Sequence, residues 1–301
     1  MRYERGVSDF AVPVGRRVEL PGRGTTFVRE GGNTASPVTV LLVHGWFASA
    51  GLNWSSSLGP LAEHFRVVAP DLRGHGRGIR SWRPFSLEAC ADDLAALVDQ
   101  LGCGPVIVVG YSMGGPIAQL LWRRHPHLVA GLVLCSTTRV FLPGRARQRY
   151  VVGASMNYAA GAVRFSRMAG RFYNPLDLHP TRSVLSGRTE SMRRWVAAEL
   201  RRHDVRQLLE AANATCRFDS RRWIGEVDVP TTVIVTTADR AIPPEAQRRL
   251  AEVIPGATLR EVDDDHMACA TEAFAPVLVD ACAEIAGRAG LVSPRAPMAP
   301  R

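Results

Sequence analysis

The stretch Gly110-Tyr-Ser-Met-Gly-Gly115 decides the fold of this chain, because of the patterns on either side of it. A β-branched run at 105–109 predicts a buried strand before it, and residues 116–124 predict a helix after it. When G-x-S-x-G lies between a strand and a helix, it forms a turn so sharp that the serine hydroxyl is exposed. The flanking residues must be glycine, because a Cβ there would collide with neighbouring chain. We therefore predict that Ser112 is a nucleophile.

The length and composition bound the class of protein. The chain has 301 residues, of which 46% are hydrophobic, enough for one large α/β domain with an insertion. No apolar run reaches the ~18 residues of a transmembrane helix, and residues 1–10 lack the apolar core of a signal peptide, so we expect a cytoplasmic location. The six cysteines form no C-x-x-C pair, and their spacing predicts neither a disulfide framework nor a zinc site.

The basic charge is unevenly distributed. All 37 basic residues are arginine, which excludes a Walker A lysine, a pyridoxal Schiff base and a lysine general base. Residues 139–222 contain 17 arginines against six acidic residues and therefore carry the whole basic excess. This charge is compatible with weak association with an anionic membrane surface, but it also fits codon bias in a GC-rich genome. We expect no binding to nucleic acid.

Strand and helix patterns alternate through most of the chain. The first part predicts a hairpin over 17–29 and then strands at 38–43, 66–69, 105–109 and 129–135, with helices at 59–65, 86–101 and 116–124. The same rhythm returns later with a strand at 231–235, a helix at 244–253, a strand at 258–262 and a helix at 272–286. This alternation predicts an α/β fold with a mostly parallel central sheet and helices on both faces.

The arginine-rich stretch 139–222, which we name the cap segment, interrupts this rhythm with helical patterns. We predict an inserted helical cap here, between core parts at 1–138 and 223–290, and a flexible tail at 291–301. The cap segment also carries an apolar and aromatic set: Phe141, Tyr150, Met156, Tyr158, Phe165, Met168, Phe172, Tyr173 and Trp195. Such side chains favour a substrate with a hydrophobic acyl or alcohol group.

Two further residues complete the predicted site. A serine at neutral pH needs a base that a third group orients, and in parallel sheets functional groups gather beyond the carboxyl ends of strands. Asp239 follows the strand at 231–235, and His266 follows the next strand. The three aspartates at 263–265 are alternative candidates for the acid that orients the base. We favour Asp239, because it lies on a turn between a strand and a helix. The chain order Ser112, Asp239, His266 is that of a known hydrolase arrangement.

With these residues the chain resembles the α/β-hydrolase fold family, in its esterase, lipase and perhydrolase-like group, from about residue 15 to 288. His44-Gly-Trp46 stands at the family's H-G-x oxyanion loop. The run Asp71-Leu-Arg-Gly-His-Gly-Arg-Gly78 closely matches D-x-R-G-x-G-x-S, with glycine in place of the usual serine. The resemblance implies the catalytic triad Ser112, Asp239 and His266, with backbone N–H groups of Trp46 and Met113 as oxyanion donors. We expect His44 and His75 to brace their motif loops.

The resemblance implies a serine hydrolase that cleaves a small-molecule carboxylic ester through an acyl-enzyme, with no metal or organic cofactor. Several alternatives stay open. The H-G-W sequence resembles the cofactor-free perhydrolase or haloperoxidase branch, and C–C bond hydrolases and thioesterases share the same triad. A non-catalytic ligand-binding homologue is an alternative from another class. The sequence leaves the acyl length and the oligomeric state open.

Overall fold

The computed structural model describes residues 12–141, 155, 158–162 and 187–291. Its central sheet contains eight strands, namely β1 (Gly15–Leu20), β2 (Gly24–Gly31), β3 (Thr39–Val43), β4 (Arg66–Pro70), β5 (Val106–Tyr111), β6 (Val129–Cys135), β7 (Thr231–Thr236) and β8 (Thr258–Val262). Their order across the sheet is β1-β2-β4-β3-β5-β6-β7-β8. Strand β2 is antiparallel to β1 and β4, and all other pairs are parallel. The mostly parallel sheet is therefore confirmed.

Helices cover both faces of this sheet, as predicted. They are α1 (Ala50–Trp54), α2 (Leu58–Ala62), α3 (Leu87–Leu101), α4 (Gly114–Arg124), α5 (Gly187–Leu200), α6 (Val205–Arg217), α7 (Pro244–Val253) and α8 (Phe274–Arg288). Successive residues of β5 point to opposite faces, so Val106 and Val108 belong to one buried cluster and Ile107 and Val109 to the other. The first cluster includes residues of α3, α4, α6 and α7, and the second includes residues of α1, α2 and α8.

Local sequence signals explain several helix boundaries. The Ser86 hydroxyl accepts a 3.0 Å hydrogen bond from the Ala89 amide at the start of α3. The same helix ends at Gly102, whose φ of +54° is the left-handed conformation that glycine adopts without strain. Helix α6 begins after Asp204, whose carboxylate accepts a 3.3 Å bond from the Gln207 amide. The Ser86 and Asp204 side chains satisfy N–H groups that a helix N-terminus leaves without partners, and the Gly102 amide satisfies carbonyl oxygens at the C-terminus of α3.

Only part of the cap segment belongs to the described residues, and its predicted boundaries stay a prediction. An isolated bridge pairs Val140 with Asp219, and α5 and α6 lie between these two ends. Ala211 of α6 belongs to the same buried cluster as α3 and α4. Residues 1–11, 142–154, 156–157, 163–186 and 292–301 lie outside the described part, and so do six of the nine apolar and aromatic cap residues named above.

Among the helices described, none combines the length and hydropathy that spanning a membrane requires.

Candidate active site

Ser112 lies in a tight turn between β5 and α4. Its φ is +50°, a left-handed conformation that non-glycine residues rarely adopt and that clusters at functional sites. A Cβ at Gly110 would lie 2.5 Å from the Gly114 carbonyl oxygen, and one at Gly114 would lie 2.1 Å from that of Val43. Both positions therefore require glycine, as predicted. The Ser112 amide donates a 3.0 Å bond to the Cys135 carbonyl, which fixes the turn to β6.

The structure brings the three predicted catalytic side chains together, although they come from distant parts of the chain. His266 Nε2 lies 3.0 Å from Ser112 Oγ, and His266 Nδ1 lies 2.7 Å from Asp239 Oδ2. A carboxylate can only accept, so the Nδ1–H donates to Asp239. That tautomer leaves Nε2 free of a proton, and the Ser112 hydroxyl donates to it. The geometry is that of a serine whose proton an adjacent base can take.

Asp239 is held in one orientation by a dense set of hydrogen bonds. Besides His266, its carboxylate accepts from Ala241 N (2.8 Å), Ile242 N (2.9 Å), Thr236 Oγ1 (2.9 Å) and Gln247 Nε2 (3.1 Å). Burial by itself raises the pKa of Asp239, but the bonds from His266 and the Ile242 amide outweigh it, so the pKa is lowered from its ordinary value. The carboxylate is therefore ionised at neutral pH. Sequence reasoning missed Thr236 and Gln247, because no spacing rule links them to Asp239.

The three aspartates that competed with Asp239 make turn contacts instead. Their carboxylates accept from the Thr237 hydroxyl (Asp263, 2.8 Å), the Asp265 amide (Asp264, 2.8 Å) and the Met267 amide (Asp265, 2.7 Å). Met267 is the next residue after His266, so these bonds shape the loop that carries His266. The geometry therefore favours Asp239 as the acid partner of His266.

Tyr111 holds the backbone of His266. Its hydroxyl donates a 2.9 Å hydrogen bond to the His266 carbonyl oxygen, and the two ring centroids lie 6.0 Å apart. Burial raises the pKa of the phenol, so the hydroxyl stays protonated and remains a donor. Because Tyr111 is the residue directly before Ser112, the end of β5 positions both the predicted nucleophile and the side chain that supports His266. In the sequence, Tyr111 occupies a variable position of G-x-S-x-G, so the motif gives no signal for this contact.

The loop 44–46 lies directly against the serine. A Cβ at Gly45 would lie 3.3 Å from Ser112 Cβ, and the Gly45 amide donates a 2.9 Å bond to Asn53 Oδ1. In the described part of the chain, the backbone amides of Trp46 and Met113 donate to no other residue. Their assignment as oxyanion donors stays a prediction.

His44 braces this loop, as expected from its motif. Its Nε2 accepts a 2.9 Å bond from the Leu72 amide, so Nδ1 carries the proton and donates to the Gly45 carbonyl at 2.8 Å. Complete burial lowers the pKa of His44 to about 3, and the ring is therefore neutral. His75 also braces its loop, since it contacts the Arg73 carbonyl oxygen at 3.0 Å.

Buried polar contacts join the cap segment to the core close to this loop. Glu199 of α5 has no exposed surface and accepts hydrogen bonds from Ser49 Oγ at 2.9 Å and Arg202 at 2.7 Å. Arg77, at the last variable position of the D-x-R-G-x-G-x-S pattern, pairs with the same carboxylate at 3.1 Å. Ser49 in turn caps α1. Nothing in the sequence pattern predicts this cluster, because its members are far apart in the chain.

Comparisons with known proteins agree with this architecture. The family model described as alpha/beta hydrolase fold matches residues 38–273. A pimeloyl-[acyl-carrier protein] methyl ester esterase of Neisseria meningitidis is 29% identical over 73% of this chain and 82% of its own length. A lipase of Mycobacterium tuberculosis is 42% identical over 40% of this chain and 45% of its own length.

Among solved structures, a thermophilic esterase from Thermogutta terrifontis is 25% identical, with a TM-score of 0.67, over 89% of this chain and 97% of that chain. The family model covers most of the sheet and every residue of the candidate site. The chain belongs to the alpha/beta hydrolase fold family.

Proposed function

We propose that this protein is a serine hydrolase that cleaves a carboxylic ester of a small molecule through an acyl-enzyme. The observation that carries the proposal is the continuous contact from Ser112 Oγ through His266 to Asp239, at 3.0 and 2.7 Å. The relatives named as esterases and a lipase support ester chemistry. Each of the three side chains has a distinct role in the reaction.

In the first half of the reaction, Ser112 Oγ attacks the ester carbonyl carbon while His266 Nε2 takes its proton. Asp239 keeps the imidazole in the required tautomer and stabilises the imidazolium that forms. The carbonyl oxygen becomes an oxyanion, which the amides of Trp46 and Met113 stabilise. One such donor contributes about 10²–10³ in rate. His266 then returns the proton to the leaving alcohol, and the acyl group stays on Ser112.

In the second half, His266 takes a proton from water as the water oxygen attacks the acyl-enzyme. The same two amides stabilise the second oxyanion. The carboxylic acid leaves when His266 returns the proton to Ser112 Oγ, so the enzyme is regenerated and one water is consumed per ester. We propose a hydrophobic acyl or alcohol group, on the strength of the apolar and aromatic residues in the cap segment.

A serine-directed probe tests the nucleophile. A fluorophosphonate should label the wild type, and peptide mapping should place the adduct within residues 105–123. Ser112→Ala should lose the label and lower kcat by about 10⁴–10⁶. Ser136→Ala is the matched control, because Ser136 also follows a neighbouring strand with a positive φ of 48°. Labelling that persists in Ser112→Ala contradicts the assignment.

A substrate panel separates ester hydrolysis from the alternatives that share the triad. Esters of increasing acyl length should be tested beside a thioester, a vinylogous diketone for C–C cleavage, and acetate with hydrogen peroxide for perhydrolysis. We expect the highest kcat/KM for an ester. A thioester or a diketone preferred over every ester would replace the proposed substrate class while leaving the triad in place.

We also propose that any association with anionic membrane is weak. Several arginines of the cap segment are neutralised within the fold, since Arg202 pairs with Glu199, Arg206 with Glu210 and Arg221 with Asp219. Sedimentation with anionic vesicles should therefore be slight and should vanish at raised salt. Tight binding that persists at high salt would contradict this expectation.

A further inference from the structure

A cavity lies between the β1–β2 hairpin, the loop after β4 and the residues that follow α5. Its volume is about 530 Å³, and four arginines line it together with Thr25 and glycines of the 76–78 loop: Arg17, Arg77, Arg80 and Arg202. None of the triad residues contributes to its wall, and no acidic residue does so among those described. The cavity is therefore distinct from the candidate active site, and its chemistry is that of guanidinium groups.

Within the described part of the chain, two of the four arginines share a single carboxylate. One carboxylate, that of Glu199, serves both Arg77 at 3.1 Å and Arg202 at 2.7 Å. Arg17 has no ion pair with any described residue. Arg80 donates to the backbone carbonyl oxygens of Gly76 and Gly78 and of Arg202, which holds its guanidinium against the cavity. Guanidinium groups that line one cavity repel one another, and an anion bound between them relieves that repulsion.

Arg77 is held in a fixed orientation on the cavity wall. Its amide donates a 2.8 Å bond to Asp71 Oδ2, and its guanidinium lies 4.6 Å from the centre of the Phe27 ring. These contacts and the ion pair with Glu199 hold the side chain in one orientation. The charge of Arg77 is therefore preorganised on the cavity wall.

The loop geometry explains why the arginines converge. Gly76 has a φ of +47°, and a Cβ at Gly78 would lie 2.1 Å from the Leu72 carbonyl oxygen. This tight loop requires glycine at both positions, and it projects Arg77 and Arg80 from neighbouring points of the backbone. Position 78 is also where the chain departs from the family's D-x-R-G-x-G-x-S pattern.

We propose that this cavity binds the phosphate group of a small molecule or free phosphate. Guanidinium groups form paired, charge-assisted hydrogen bonds with phosphate oxygens. Several guanidinium groups around one phosphate match its tetrahedral set of acceptor oxygens. Small-molecule sites have volumes of about 300–1,000 Å³, and the volume of this cavity falls within that range. The cavity therefore has room for an organic group beside the phosphate. A phosphate here bridges Arg202, from the cap segment, to Arg17, Arg77 and Arg80 of the core.

Titration calorimetry with inorganic phosphate and with phenyl phosphate tests the proposal at constant ionic strength. The protein should carry Ser112→Ala, so that the outcome is independent of the proposed ester hydrolysis. We expect one saturable site per chain. Arg17→Gln should raise Kd about tenfold or more, since it removes a charge-assisted contact from an exposed strand position that does not hold the fold.

Arg16→Gln is the matched control, because Arg16 precedes Arg17 on the same strand but pairs with Glu30 at 2.7 Å outside the cavity. It should leave Kd unchanged. Tighter binding of phenyl phosphate would identify a phosphorylated small molecule as the ligand, and equal binding would identify the free ion. The absence of saturable binding of either probe, or equal losses in Arg17→Gln and Arg16→Gln, would overturn the proposal.

Discussion

The indole Nε1 of Trp46 donates a 2.9 Å hydrogen bond to the carbonyl oxygen of Leu208, 162 positions later in the chain. Trp46 is also the residue whose amide we propose as an oxyanion donor, so this loop is attached directly to α6 of the cap segment. The next residue, Phe47, has a φ of +59°, and its ring centroid lies 5.5 Å from that of His203. Strained backbone of this kind persists where surrounding contacts hold it.

Trp46→Phe is predicted to impair turnover without impairing the fold. Phenylalanine keeps an aromatic ring but lacks the N–H, so the loop loses its bond to Leu208 and the oxyanion donor is held less firmly. Because one such bond contributes about 0.5–1.5 kcal/mol, we expect kcat to fall about two- to tenfold with KM for a small activated ester unchanged. Trp82→Phe, at a position 69% exposed, should match the wild type in steady-state kinetics. Equal kcat in both variants would rule out a positioning role for the bond.

Asp239→Asn is predicted to disable the base. The amide can donate to His266 Nδ1 and so stabilise the wrong tautomer, which should lower kcat by up to ~10⁴. Circular dichroism should show an intact fold. Asp265→Asn serves as the control, because that carboxylate accepts from the Met267 amide instead of contacting the imidazole. Should Asp265→Asn lose activity while Asp239→Asn keeps it, the acid has been misassigned.

Acid is predicted to unfold the protein through its buried histidines. Burial lowers the pKa of His44, His75 and His203 to about 3, below the ordinary value of 6.5. Between these values the unfolded chain binds protons that the folded chain does not, so stability is lost as pH falls from about 6.5 toward 3. In this pH range, each such histidine lowers the free energy of unfolding by about 1.4 kcal/mol for each unit that the pH falls.

His203→Asn tests this slope, because the asparagine oxygen can accept the 2.9 Å bond that the Gly76 amide gives to His203 Nδ1. Urea unfolding at several pH values should show a shallower pH dependence in this variant. Replacing the exposed His127 by asparagine should leave the slope unchanged. A slope identical in wild type and His203→Asn would show that His203 is not among the groups responsible.

Replacing residues 139–222 by a short linker tests whether the cap segment selects the substrate without performing chemistry. We expect turnover of long-chain esters to be abolished, since lids of this kind cover the site and exclude water. Hydrolysis of a small activated ester should survive at a reduced rate, because the Leu208 acceptor and Glu199 are lost with the segment. A folded truncation that no longer reacts with a fluorophosphonate would mean that the cap segment supplies part of the catalytic machinery.

Elements with a strong local pattern were predictable from the sequence. Helix α7 and strand β8 have the predicted bounds, 244–253 and 258–262, because hydrophobic periodicity and flanking turn residues both mark them. Helix α1 was not predicted. It has five residues, including Gly51, too few for a periodic pattern to emerge, and the Ser49 cap and burial of Trp54 stabilise it in the fold.

The sequence by itself determined the alternation of strands and helices, the sharp turn at Ser112 and the strand ends that carry Asp239 and His266. These features depend on residues close together in the chain, where sterics and periodicity act locally. Only the tertiary structure decided that Asp239, and none of the aspartates at 263–265, contacts the imidazole. It also decided that the Leu208 carbonyl oxygen accepts the hydrogen bond from Trp46. The same holds for the arginines that converge from β1, the loop after β4 and the cap segment. Such contacts join residues far apart in the chain, 162 positions in the case of Trp46 and Leu208, and no local pattern encodes which side chains meet when the sheet forms.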